Sequence, residues 1–70
     1  MKMDEKVFNA GEYMRDQHIN GKEWIRPTDV GFAVGGAFKH SSYGSPICME
    51  MVKRGLAERN DKGHYRLIKK

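Results

Sequence analysis

Arg59, Lys62, His64 and Arg66 place four basic or titratable side chains within eight residues, around an Asn60-Asp61-Lys62-Gly63 turn. Guanidinium and ammonium groups gathered in this way suit phosphate oxygens, because each supplies N–H donors together with positive charge. An earlier stretch holds Lys39, His40, Ser41, Ser42, Tyr43 and Ser45, and Lys53 stands between the two sets. Hydroxyl donors, cations and one aromatic ring are materials for holding a polyanion. Each has a plainer reading: a serine that only caps a helix, a tyrosine packed on the domain surface, cations that merely solvate a hairpin tip.

Bond-breaking chemistry finds no such support. Cys48 has helical spacing with Met51 and Val52, which reads as an inert core thiol. His18, His40 and His64 fall on three separate elements without a cysteine pair or an HxxxH spacing, so no four ligands converge on zinc. Gly31, Gly35 and Gly36 do not follow a strand into GxGxxG, and no Ser-His-acid arrangement is present. The expectation is a non-enzyme with no catalytic residue, no metal and no cofactor. Met14, Met49 and Met51 read as core filler or partner contacts.

The elements that must carry the cations follow from periodicity. A helix is expected from Asp4 to Gln17, with Asp4 as its cap and Val7, Ala10 and Met14 on one face. Its opposite face carries Glu5, Glu12 and Asp16, a poor surface for DNA. Asn20-Gly21 marks a turn, and Glu23-Trp24-Ile25-Arg26 reads as a short strand with Trp24 in the core. A second helix opens at Pro27-Thr28-Asp29, with Thr28 as N-cap, buries Val30, Ala33 and Val34, and stops at Gly35-Gly36. The third helix has two possible starts, Ser45 with Pro46 as first helical residue, or Ser41 or Ser42; the longer version is favoured because the shorter leaves a long link. Cys48, Met51, Val52 and Leu56 would line its inner face, with Gly55 as its stop. Leu56 to Arg59 and His64 to Ile68 then form a hairpin with Tyr65 and Leu67 on one face, and the two final lysines fray.

Seventy residues bound the chain to one domain, 1–70, whose small core makes every large apolar side chain count. At 39% hydrophobic and 31% charged the composition is globular, and no apolar run approaches the roughly 20 residues that span a bilayer. The start, MKMDEKVF, lacks the apolar stretch of a secretory signal, and a single cysteine makes no internal disulfide, so a reducing cytoplasm is the expected compartment. The net charge of +4 is unevenly spread. Residues 1–35 hold five Lys/Arg against six Asp/Glu, a balance of −1, whereas residues 36–70 hold eight against three, a balance of +5. A basic half carrying the helix and hairpin favours a polyanionic partner, through release of counterions from phosphates.

The order helix, short strand, helix, helix, strand, turn, strand resembles the winged helix-turn-helix superfamily over nearly the whole chain. The resemblance rests on Pro27-Thr28-Asp29-Val30-Gly31 opening the first motif helix, and on the helix, Gly-Leu, strand junction Met51-Val52-Lys53-Arg54-Gly55-Leu56-Ala57-Glu58-Arg59. Gly63-His64-Tyr65-Arg66-Leu67 looks like the return strand of the wing. One departure is the link from Gly35 to Ser42, longer and richer in glycine than the usual tight turn.

The resemblance implies an α+β fold: three helices, a C-terminal β-hairpin wing and a short extra strand near Trp24. It further implies duplex DNA binding by a small regulator of bacterial or phage type. Helix 41–54 would enter the major groove, and the 59–66 wing would lie on the adjacent backbone or minor groove. The DNA-contacting residues would be Lys39, His40, Ser41, Ser42, Tyr43, Ser45, Lys53, Arg59, Lys62, His64 and Arg66. No arginine stands in the first turn of that helix, so backbone attachment is expected to exceed base discrimination. Six phosphate contacts would give a logarithmic salt slope of about −5. A homodimer through the first helix, or a larger protein partner, is the further expectation. The rival reading is the same fold used as a protein-interaction module without nucleic acid. Duplex RNA is a weaker third, since no aromatic stacking row is present.

Overall fold

The computed structural model describes residues 2–35 and 41–68. Helix α1 (Met3–Ile19) turns Val7, Ala10 and Met14 inward at the expected three- and four-residue spacing. Asp4 does not cap it. Lys2 holds the N-cap position in extended backbone without a side-chain hydrogen bond, and Asp4 sits in the first turn, where its charge faces the positive end of the helix. The helix also runs past Gln17 to Ile19, and the chain reverses at Gly21, whose φ of 92° needs glycine.

Helix α2 (Pro27–Gly35) likewise begins one residue before its expected cap. Pro27 is the first helical residue, where its missing N–H costs nothing, so Thr28 lies inside the helix. The carbonyl of Arg26 accepts from the Asp29 and Val30 amides at 3.1 and 3.2 Å. Val30 and Gly31 are buried, Val34 is half-buried, and Ala33 faces solvent against expectation.

Helix α3 (Ser41–Lys53) takes the longer of the two starts, and Pro46 therefore lies within it. Packing explains the choice. Tyr43 and Gly44 meet α2, and Gly44 is buried so tightly that a Cβ there would fall 1.8 Å from the Pro27 carbonyl oxygen. Helical backbone at 43 and 44 is what seats α3 on α2, and this outweighs the single intrahelical bond that Pro46 removes. The inner face is Ile47, Cys48 and Met51, whereas Val52 and Leu56, expected inside, are each 39% exposed.

Gly55 ends α3 as expected, with φ of 76°. The Leu56 amide donates to the Met51 carbonyl at 2.8 Å and the Gly55 amide to Val52 at 3.0 Å, the paired bonds of a Schellman stop. Strands β1 (Ala57–Arg59) and β2 (Tyr65–Leu67) then pair antiparallel, with Ala57 opposite Leu67, Glu58 opposite Arg66 and Arg59 opposite Tyr65. The extra strand near Trp24 reduces to one bridge: Ile25 and Tyr65 exchange both backbone hydrogen bonds at 2.8 Å.

The described core joins all these elements through Val7, Ala10, Met14, Ile25, Val30, Ile47, Cys48, Met51, Ala57 and Tyr65. Ile25, fully buried, takes the place expected of Trp24, which is half-buried outside the cluster. Burying a side chain of that size contributes about 1.5–3 kcal/mol. Three helices followed by a two-stranded antiparallel hairpin make the small α+β, winged-helix-like layout that the sequence implied.

Candidate nucleic-acid interface

The hairpin separates the cations that the sequence placed together. In an antiparallel pair, directly opposed residues share a face and neighbours along a strand alternate. Arg59 therefore shares a face with Tyr65, while Arg66 shares the other face with Glu58. Arg66 donates from Nε to Glu58 and from Nη1 to Glu23, and its guanidinium lies 4.3 Å from the centre of the Trp24 ring. Two carboxylates and an aromatic face surround it, so Arg66 also clasps the hairpin to the segment that precedes α2.

At the tip, the Asn60 side chain organises the turn. Its Oδ1 accepts from the Lys62 and His64 amides at 3.0 and 2.9 Å, and the Gly63 amide returns to the Asn60 carbonyl at 3.1 Å. Gly63 has φ of 80°, the left-handed value this turn requires. Lys62 is exposed at the tip with Asp61 beside it, and His64 is half-buried. Arg59 is exposed, its guanidinium passing within 3.4 Å of the site a Cβ on Gly63 would take.

Along α3, Ser41 and Ser42 stand in the first turn. Tyr43 faces inward. Its ring lies against Gly35 of α2, where a Cβ would meet it at 3.0 Å, and the Lys6 ammonium sits 5.2 Å from the ring centre. Tyr43, Ile47 and Met51 follow at four-residue steps, so the helix register commits the tyrosine to the packed side. The half-buried ring thus has a packing role between α2 and α3. Ser45 is half-buried, and Pro46, Met49 and Lys53 are exposed. Lys39, His40 and the link containing them lie outside the described residues, as do Lys69 and Lys70.

Which cations remain uncommitted is decided by the ion pairs. Arg15 meets Glu12 at 3.5 Å, and Lys22 and Arg26 meet Asp29 at 3.7 and 3.1 Å. Arg54 bridges Glu50 and Asp4 at 2.8 and 2.7 Å, tying the end of α3 to the start of α1. The paired carboxylates hold the Arg54 guanidinium above its ordinary range, chiefly through the bond to Glu50. Among the described residues, the Lys and Arg side chains with neither an acidic nor an aromatic partner are Lys2, Lys53, Arg59 and Lys62. Three of these four fall between the end of α3 and the hairpin tip. The unpaired acids Glu5 and Asp16 lie on α1, and Asp61 lies at the tip.

Three residues outside the sequence-derived set shape this region: His18, Glu58 and Glu23. His18 accepts the Leu67 amide on Nε2 at 3.2 Å, while its Nδ1 lies 2.8 Å from the Lys22 carbonyl. The acceptor role at Nε2 assigns the proton to Nδ1, so the ring joins the end of α1 to the return strand. Glu58 was legible as the partner of Arg66 from hairpin register, but Glu23 lies 43 positions away without a local signal.

No three His, Cys, Asp or Glu side chains among the described residues are arranged to hold a metal ion, and no helix among them is long and apolar enough to cross a membrane. Comparison with protein-family models, curated proteins and solved structures finds no match.

Proposed function

We propose that this chain binds duplex DNA as a small transcriptional regulator, presenting the outer side of α3 to the major groove and the hairpin turn to the neighbouring backbone. The observation that carries this reading is the location of uncompensated positive charge. Lys53, Arg59 and Lys62 have no acidic partner, whereas Arg15, Lys22, Arg26, Arg54 and Arg66 are internally neutralised. Free ammonium and guanidinium groups bind phosphates without first losing an intramolecular bond. The winged-helix-like layout supports the same assignment by resemblance.

Sequence discrimination is expected to be weak. The described outer side of α3 offers Ser45, Pro46, Met49 and Lys53, with no guanidinium to read guanine. That composition also supports a second reading, a protein-interaction winged helix. Met49 is 62% exposed and stands next to Pro46 and Val52, an apolar strip that suits a protein surface.

Fluorescence anisotropy with random duplex DNA at two salt concentrations separates the two. Three phosphate contacts give a logarithmic salt slope of about −3, and replacing Lys53, Arg59 and Lys62 with Ala flattens it and weakens binding to all duplexes alike. No binding at micromolar protein, or an affinity untouched by the triple change, transfers the assignment to the protein partner.

A further inference from the structure

One flank of α1, beside its core-facing side, carries Asp4, Phe8, Gly11, Glu12 and Arg15 at three- and four-residue intervals. Phe8 is 67% exposed. It stands at the edge of an open groove between α1 and the hairpin, lined by Gly11, Met51, Leu56, Leu67 and Ile68. Gly11 leaves a notch in the helix surface, and a Cβ placed there would meet only the Met51 methyl, at 4.0 Å. Knob and notch thus lie on one face, three residues apart.

We propose that this face binds a second copy of the same chain, α1 against α1 in antiparallel, two-fold fashion, with Phe8 of each copy seated in the other's Gly11 groove. Charge placement selects a second copy over an unrelated partner. The two-fold axis that sets Phe8 opposite Gly11 also sets Asp4 opposite Arg15, since each pair is centred on the same point of the helix. Both line the groove, with side chains 82% and 65% exposed. A two-fold contact must be self-complementary, knob to notch and acid to base, and this stripe satisfies both conditions. Within one copy Asp4 and Arg15 lie about 16 Å apart along the helix and cannot meet. The inference is independent of nucleic-acid binding, because α1 carries neither Lys53, Arg59 nor Lys62.

Sedimentation equilibrium of the full chain tests it. The expected result is a concentration-dependent mass approaching twice 8.1 kDa. Phe8→Glu leaves a monomer with an unchanged circular dichroism spectrum, because the ring is exposed in the single copy. Asp4→Lys and Arg15→Glu each weaken association about tenfold, and the two together restore it to within about threefold of the parent. Loss of the Asp4–Arg54 bond cannot produce that rescue, since it persists in the double variant. A monomer at millimolar concentration, a Phe8→Glu chain that still dimerises, or a double variant no better than its singles overturns the proposal.

Discussion

The Arg66 guanidinium lies over the Trp24 ring, 4.3 Å from its centre, with the Glu23 and Glu58 carboxylates on its hydrogen-bonding edges. This clasp stands next to the Ile25–Tyr65 bridge, so the segment entering α2 is held to the return strand by backbone on one side and by a cation on the other. A residue whose type suggests DNA is thereby committed to holding the hairpin in place.

Arg66→Ala should lower stability by about 1–2 kcal/mol, the summed worth of a half-exposed ring contact and two surface ion pairs. DNA affinity measured well below the unfolding midpoint should change little, in contrast to Arg59→Ala and Lys62→Ala. Urea unfolding and anisotropy on the same preparations check both halves. A large loss of affinity with unaltered stability returns Arg66 to the DNA-binding surface.

Gly44 packs directly against the backbone of α2. A Cβ added there would stand 1.8 Å from the Pro27 carbonyl oxygen and 2.8 Å from the Gly31 nitrogen, both backbone atoms that cannot swing aside. Gly44→Ala should therefore separate the helices and cost about 3 kcal/mol or more, enough to abolish cooperative unfolding in so small a domain. Gly11→Ala, which meets only a flexible methyl, serves as the contrast. A thermal melt of Gly44→Ala indistinguishable from the parent would contradict this packing.

Legibility in the sequence followed the range of the interaction. The three helices, the stop at Gly55 and the hairpin were readable because periodicity, glycine and turn chemistry act over a few residues. Both expected N-caps, Asp4 and Thr28, were displaced, because a helix begins where tertiary packing first supports it. The packing of Tyr43 and the ion pairs of Arg66 were not legible for a related reason. Their side-chain types suit phosphate, but Gly35, Trp24 and Glu23 are brought to them only by the fold. Lys53, Arg59 and Lys62 are exposed and have no acidic partner among the described residues.

Asp29 should give the domain a measurable acid sensitivity. The Arg26 side-chain bond, joined by the charges of Arg26 and Lys22, holds its carboxyl below the ordinary range against the opposing effect of burial. A depressed folded value means that the stabilisation is present above the unfolded carboxyl range and disappears as pH falls through the folded one. Asp29→Asn should then cost about 0.5 kcal/mol near neutrality, the size of a helix-surface pair, with the two chains converging toward pH 3. Unfolding midpoints that differ equally at pH 7 and pH 3 would assign the loss to something other than charge.

Cys48 offers a probe of the whole fold. It is fully buried between α3 and the core, and burial pushes its thiol up to about 12, from 9.0 when exposed. Because the thiolate is the reactive species, Ellman's reagent at pH 8 should leave the native chain unlabelled and modify it fully in denaturant. Any slow native-state labelling should then report opening of the core, and it should accelerate in Gly44→Ala but not in Phe8→Glu, whose ring lies outside that core. The raised folded value also fixes a sign: the stabilisation from the neutral thiol is complete below pH 9 and declines as pH rises toward 12. Cys48→Ala removes that alkaline slope while costing packing at every pH. Rapid stoichiometric labelling of the parent under native conditions at pH 8 would mean that α3 does not cover Cys48, and the seat of that helix on α2 would have to be redrawn.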